Sequence, residues 1–181
     1  MSETSKVPAE PGQPAAQGTF APQPQGAIMP LTLSSPAFDA NGAIPVRHAR
    51  DGDNLSPHLI WSGVPEGTLS FVLIVEDPDA PNGMFRHWGA FDIPGGQTEL
   101  QEGFGSKASG DVRFARNDFG QSRYDGPEPP RGHGTHHYIF RLAALDVRDL
   151  GVPNDTPVED VWHAARRHML EETEFVGTYE R

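Results

Sequence analysis

From about residue 28 onward the chain alternates between short apolar runs and clusters of turn-forming residues. Met29–Leu33, Leu59–Trp61, Ser70–Glu76, His87–Ile93 and His136–Leu145 read as strands. Phe71–Val75 is apolar without a break, which predicts a central strand covered on both faces. Turn clusters such as Asp39-Ala40-Asn41-Gly42, Asp51-Gly52-Asp53-Asn54 and Pro94-Gly95-Gly96 separate the runs. The stretch from about residue 100 to residue 130 is polar and Gly-rich, a long loop region of the kind that often carries function. One helix is signalled late. Thr156-Pro157-Val158-Glu159 combines a capping box with proline at the first helical position. Val158, Val161, Trp162, Ala165 and Met169 then form an apolar stripe at helical spacing. This pattern predicts a helix to about Glu172 and a final strand over Phe175–Tyr179. Many strands followed by a late helix predict a mainly β, α+β fold built on an antiparallel sheet.

Composition narrows the picture. The 181 residues suffice for one domain with a real core, and 20 glycines with 18 prolines favour short strands and many turns over a helical bundle. Residues 1–26 are rich in Pro, Gln and Ala and nearly devoid of large apolar side chains. They are expected to form a disordered tail, with the domain spanning 27–181. The net charge of −11, with Arg and Lys scattered, argues against nucleic acid as a partner and against adhesion to anionic membranes. The absence of cysteine excludes disulfides, thiolate metal sites and a Cys nucleophile. The N-terminus has no apolar secretory core, and no run reaches the roughly 20 apolar residues that span a bilayer. The expectation is therefore a cytoplasmic protein with no transmembrane segment.

Two segments carry the candidate chemistry. Alternation along His136–Leu145 places His136, Tyr138, Phe140 and Leu142 on one face, and His137 and Arg141 on the other. His136 and Tyr138 thus head an apolar floor at a strand's end. Alternation likewise places His87, Gly89, Phe91 and Ile93 together, with Gly89 expected to leave room beside His87. Asp77-Pro78-Asp79-Ala80-Pro81 follows the buried strand directly. Its prolines stiffen the turn and hold both carboxylates, and a cis Ala80–Pro81 bond is conceivable. Carboxylates near His87 and His136 are expected to raise the imidazole pKa values and favour cationic donors. Such donors, with the Tyr138 hydroxyl and backbone N–H from Gly132 or Gly134, suit a phosphate or carboxylate oxygen. An aspartate beside them suits an ammonium or hydroxyl group. No metal or cofactor is expected, because the closely spaced His133, His136 and His137 have no acidic or Cys ligand at diagnostic spacing.

Leu55-Ser56-Pro57 with Trp61–Pro65, Asp77–Pro81 with His87-Trp88, Asn117–Gly120, Tyr124–Pro127 with Pro129-Pro130, and Gly134–Phe140 occur in an order that resembles the phosphatidylethanolamine-binding protein family. The resemblance is to its bacterial Raf kinase inhibitor-like branch and runs from about Ile28 to the C-terminus, where His168-Met169-Leu170 and Gly177-Thr178-Tyr179 also match. It implies a central antiparallel sheet packed on a smaller sheet, with peripheral helices. It also implies a small anion pocket for phosphate-type head groups. Position by position, it carries the pocket acids onto Asp77 and Asp79, the histidines onto His87 and His136, and the tyrosine onto Tyr138. Pro81, Pro129, Pro130 and Gly132 fall at the rim. Phe85 matches an aromatic that often stands two places before the first histidine.

The expected function is a binding or regulatory protein for a small anion or phosphorylated head group, with Asp77 and Asp79 orienting the histidines. One alternative is a kinase or protease inhibitor acting through a protein partner. Another is a hydrolase or lyase, but no Gly-x-Ser-x-Gly elbow and no evident nucleophile supports it. A homodimer is the default oligomer. His168 reads as a histidine stabilised at a helix C-terminus, and His163 as solvent-facing.

Overall fold

A computed structural model describes residues 28–181, so the expected tail over 1–26 lies outside the described residues. The order is β1 (Thr32–Ser34), β2 (Leu59–Ser62), β3 (Ser70–Asp77), β4 (Phe85–Pro94), β5 (Glu99–Leu100), β6 (Arg113–Phe114), β7 (His136–Leu145), α1 (Val158–Ala165) and β8 (Met169–Tyr179). A five-stranded sheet has the order β6-β4-β3-β7-β8, and a three-stranded sheet the order β1-β2-β5. Every strand pair in both sheets is antiparallel.

β3 is buried along its whole length because both faces of its sheet are covered. Phe71, Leu73 and Val75 pack with Leu33, Leu59, Trp61 and Leu100 from the smaller sheet. Val72 and Ile74 pack instead under Val158, Val161, Trp162 and Ala165 of α1. The layers are therefore small sheet, large sheet, helix. β7 follows the expected alternation: Tyr138, Phe140 and Leu142 face the small sheet, while Ala143 and Leu145 meet the helix layer.

β4 departs from simple alternation at two bulges. Leu73 pairs with Ala90 but Phe71 pairs with Ile93, leaving a spare residue around Asp92, whose φ is 55°. Val75 pairs with Trp88 but Glu76 pairs with Arg86, leaving His87 as the extra residue. Each bulge resets which face the strand presents. Phe91 consequently lies in the helix layer and Ile93 in the sheet layer, so the expected common face does not exist. Gly89 makes no room beside His87 either. It lies under α1, where a Cβ would stand 2.9 Å from Ala115 Cβ and 2.9 Å from Val158 Cγ2.

The helix is shorter than its pattern predicts. α1 ends at Ala165, a 3-10 turn covers Arg166–His168, and β8 starts at Met169. β8 pairs with β7 from Leu145↔Met169 to His136↔Tyr179, and this long ladder overrides the local helical spacing of 166–172. The capping box does not close: Pro157 sits at the N-cap, and Thr156 Oγ1 donates to the Pro153 carbonyl at 2.6 Å. His163 is exposed as expected. His168 lies in the 3-10 turn with Nδ1 3.1 Å from Asp146 Oδ1, a side-chain partner that the helix-end reading did not include.

Candidate functional site

The C-terminal end of β3 lies between the N-terminal ends of β4 and β7, because both neighbours run antiparallel to it. Asp77, His87 and His136 therefore meet at one edge of the sheet, and the 78–84 turn and the 117–130 loop close over them. Together they enclose a cavity of about 230 Å³. Its wall includes Asp77, Pro81, His87, Pro129, Pro130 and His136 of the expected residues. Tyr138 lies beside this wall, edge-on to His87 with ring centroids 5.2 Å apart.

Two expected residues turn away. Asp79 is exposed, and its Oδ2 accepts from the His137 backbone N at 2.8 Å and lies 2.7 Å from His137 Nδ1. These bonds hold its carboxyl below the usual range, and they orient neither pocket histidine. Gly132 is exposed with φ 74°, and its N–H donates to the Arg181 carbonyl at 3.1 Å. The Ala80–Pro81 bond is trans.

The sequence reading assigned no role to several residues that build the wall. Met84, Phe119 and Glu128 line the cavity, as does Phe85, noted above only as a matching aromatic. Phe119 packs edge-on against Phe85 and His87, with centroids at 4.8 and 5.5 Å. The Arg50 guanidinium stacks on Phe119 at 4.0 Å and reaches Glu128 at 2.5 Å. Arg181 approaches the other Glu128 oxygen at 3.8 Å and donates to the Pro129 carbonyl at 2.8 Å. Both guanidiniums are shared, Arg50 with Asp125 and Arg181 with Asp51, each at 3.6 Å. Phe119 stands in a segment that resembled the family, whereas Arg50 is distant in sequence and carried no signal.

Each histidine is fixed through Nδ1. His136 Nδ1 lies 2.7 Å from Asp77 Oδ2, while the other Asp77 oxygen accepts from the Asp79 N–H at 2.8 Å. His136 Nε2 lies 2.6 Å from Nδ1 of His133, a residue considered above only as a metal ligand. His87 Nδ1 lies 2.8 Å from the Asp125 carbonyl oxygen, which can only accept. The His87 Nδ1–H therefore donates, and Nε2 of the neutral ring is an acceptor. Burial pushes the His87 pKa down and outweighs the opposing hydrogen bond and the Asp77 charge. This reverses the expectation of a cationic His87. Burial, then the Asp77 charge, push the Tyr138 phenol upward, so its hydroxyl stays protonated. That hydroxyl is buried, and among the described residues it makes no bond of full hydrogen-bond geometry, although the Asp77 carboxylate lies near enough to help raise its pKa.

A polar hub supports His87 from behind. Asn117 Nδ2 contacts the carbonyls of His87 and Arg123 and the Asp125 carboxylate at 3.2, 2.9 and 3.0 Å. Its Oδ1 accepts from the N–H groups of Phe119 and Gln121 at 3.0 and 2.9 Å. Asp125 is fully buried and is met by Asn54, Asn117 and Arg123 at 3.0–3.4 Å, with Arg50 at 3.6 Å. The hub ties the long loop to the bulge of β4.

A larger groove of about 1060 Å³ lies at the opposite end of β3 and β4, lined by residues such as Leu69, Asp92 and Arg113. Arg113 is neutralised there by Asp92 at 3.6 Å and Asp149 at 3.8 Å, and the groove holds no imidazole or phenol. Size alone favours it. The chemistry favours the smaller cavity.

The sequence profile of the family described as "Phosphatidylethanolamine-binding protein" matches residues 34–180. The chain belongs to that family. It is 44% identical over 158 residues to a UPF0098 protein of Aquifex aeolicus, covering 86% of this chain and 91% of that one. Similarity to the UPF0098 protein YbhB of Escherichia coli is 47% identity over 106 residues, covering 56% and 66%. LppC of Mycobacterium tuberculosis, which carries a lipoprotein name, is 36% identical over 171 residues, 92% of this chain and 81% of its own. Among solved structures, the crystal structure of E. coli YbcL, described as a new member of the mammalian PEBP family, matches with TM-score 0.80 and 31% identity. That match covers 84% of this chain and 99% of YbcL. The expected family fold, two antiparallel sheets with a short helix near the C-terminus, is the fold observed. Among the described residues, no helix is long and apolar enough to cross a membrane.

Proposed function

We propose that this protein binds the phosphate group of a small phosphorylated head group in the 230 Å³ cavity between Asp77, His87 and His136. The observation that carries the reading is the cavity wall itself, which brings together two buried imidazoles, His87 and His136, with the Tyr138 ring edge-on to His87. The cavity falls below the ~300 Å³ at which drug-sized sites begin, which suits a head group and excludes acyl chains from the enclosed space. The neutral His87 ring offers an acceptor and pairs with the P–OH of a phosphate monoanion.

The role proposed is binding or regulation, supported by a wall in which the imidazoles stand among Pro81, Phe85, Phe119, Pro129 and Pro130. The test is a heteronuclear NMR titration with phosphorylethanolamine. Saturable shifts at His87, His136 and Tyr138 are expected. They disappear in His87→Ala and persist in Asp79→Asn, whose side chain is bonded to His137. A wild-type spectrum unchanged at millimolar ligand would refute the reading and direct attention to a protein partner.

A further inference from the structure

Asp77, His136 and His133 form a continuous polar row from the sheet to the protein surface. Asp77 Oδ2 and His136 Nδ1 are 2.7 Å apart, and His136 Nε2 and His133 Nδ1 are 2.6 Å apart. Asp77 and His136 are buried, whereas His133 is exposed. Local backbone explains why His133 reaches back. It stands between Gly132 and Gly134, with φ of 74° and 89°, and its N–H donates to the Pro130 carbonyl at 3.1 Å. Left-handed residues on both sides fold the segment tightly enough to lay one imidazole on the other, with centroids 4.9 Å apart.

The 2.6 Å contact defines the protonation pattern. Two bare nitrogen lone pairs repel at that distance, so one proton lies between the rings. His136 Nδ1 faces a carboxylate, and its proton is accounted for as well. The nitrogen of the row left without a partner is His133 Nε2. A further proton can enter there without breaking either bond, and the resulting charge is distributed over two rings with Asp77 behind them.

We propose that His133 shares a proton with the pocket residue His136: arrival of the anionic oxygens of a ligand draws a further proton onto the pair, which then holds one charge between its two rings. This deepens the phosphate reading above and rests on it for the ligand. His87 does not serve in this way, since its Nδ1–H is committed to a carbonyl and burial disfavours its cation.

The charges around the pair come from every neighbouring element. Asp77 faces it from β3. Glu128, paired with Arg50 and Arg181, shares the cavity wall with His136. From the end of β8, Tyr179 is the register partner of His136, Glu180 bonds Thr135 at 2.7 Å, and the Arg181 carbonyl accepts from Gly132. Asp79, bonded to His137, acts from the other side, and Arg131 lies in the same loop. Of these groups only His133 and His136 touch each other directly.

The test compares wild type with His133→Gln, whose amide can still donate to His136 Nε2 but cannot titrate. Side-chain 15N spectra of the free proteins are followed from about pH 5 to about pH 9, where histidine changes charge. In wild type, His133 and His136 are expected to show the same macroscopic steps, as strongly coupled groups do. In His133→Gln, His136 loses the shared step. Sulfate then serves as a ligand whose own charge is constant over this range. Its affinity for wild type should exceed that for the variant by a ratio that grows about tenfold per pH unit of acidification, the slope of one linked proton. An unchanged His136 titration in the variant overturns the proposal whether or not sulfate binds. Equal pH profiles for sulfate overturn the coupling while leaving the oxyanion site standing. Absence of sulfate binding at every pH overturns the coupling, and the phosphorylethanolamine titration then decides the phosphate reading separately, because sulfate has no proton to give to His87.

Discussion

Replacing Asn117 by Ala removes the side chain that ties the long loop to the His87 bulge. The magnitude follows from its bonds. Nδ2 has two protons to share among the His87 carbonyl, the Arg123 carbonyl and the Asp125 carboxylate, and Oδ1 accepts from two backbone N–H groups. Neutral bonds contribute about 1 kcal/mol each and a bond to a charged group about 2 kcal/mol, for a gross loss of about 5 kcal/mol. Gln121 is exposed, so its N–H regains a water partner and part of that loss is recovered. Asp125 is fully buried and regains nothing. The expected net cost is about 3–4 kcal/mol, or about 10 °C in Tm for a domain of this size. Urea unfolding measures it, with the midpoint displaced and the slope unchanged. Binding of phosphorylethanolamine should weaken too, because the loop that places Phe119 and Glu128 has lost its anchor. A cost below about 1 kcal/mol would refute the reasoning, since it would mean that the bonds are replaced by water as freely as on the surface.

Gly89→Ala should cost about 1–3 kcal/mol by overpacking, because the new methyl meets Val158 and Ala115 at 2.9 Å under α1. Head-group affinity should not change, and a change by NMR titration would mean that Gly89 does border the pocket. The His87 pKa is depressed in the fold, so the unfolded chain binds the extra proton first as pH falls. This contribution to stability is fully present above the unfolded value of about 6.5 and is lost as pH falls from there toward the folded pKa. Urea midpoints measured across this window should fall less steeply in His87→Gln than in wild type, and parallel curves would contradict a buried neutral ring.

What the sequence made legible was whatever depends on uninterrupted period-two spacing. Phe71–Val75 announced a strand covered on both faces, and His136 and Tyr138 shared a face because β7 has no bulge before Ala144. β4 has two bulges, and an extra residue leaves no mark on composition, so the expected companions of His87 were wrong. The 166–172 segment has helical spacing and charged residues in place of strand formers, and only the β7 ladder reveals it as strand. Arg50 and Asn117 act across 75 and 30 residues of sequence in the Arg50–Asp125 and Asn117–His87 contacts. No local pattern encodes such pairings. His133 did carry a local signal, its two flanking glycines, and that signal pointed to backbone shape rather than to a partner for His136.

The two pocket histidines differ in what holds Nδ1, and this difference carries the chemistry. Asp125 presents His87 with a neutral carbonyl, which orients the ring and leaves Nε2 an acceptor. Asp77 presents His136 with a carboxylate, which sets a full negative charge behind the row that ends at His133. In the proposed binding mode one side of the cavity accepts a proton from a ligand, and the other takes up positive charge opposite it. A phosphate monoester monoanion has both a P–OH and anionic oxygens, so it satisfies both sides at once. A sulfate has no proton to give and satisfies only the second. Phosphorylethanolamine should accordingly outbind sulfate by more in wild type than in a His87 variant that cannot accept. Equal selectivity in the two proteins would show that the His87 acceptor is not used.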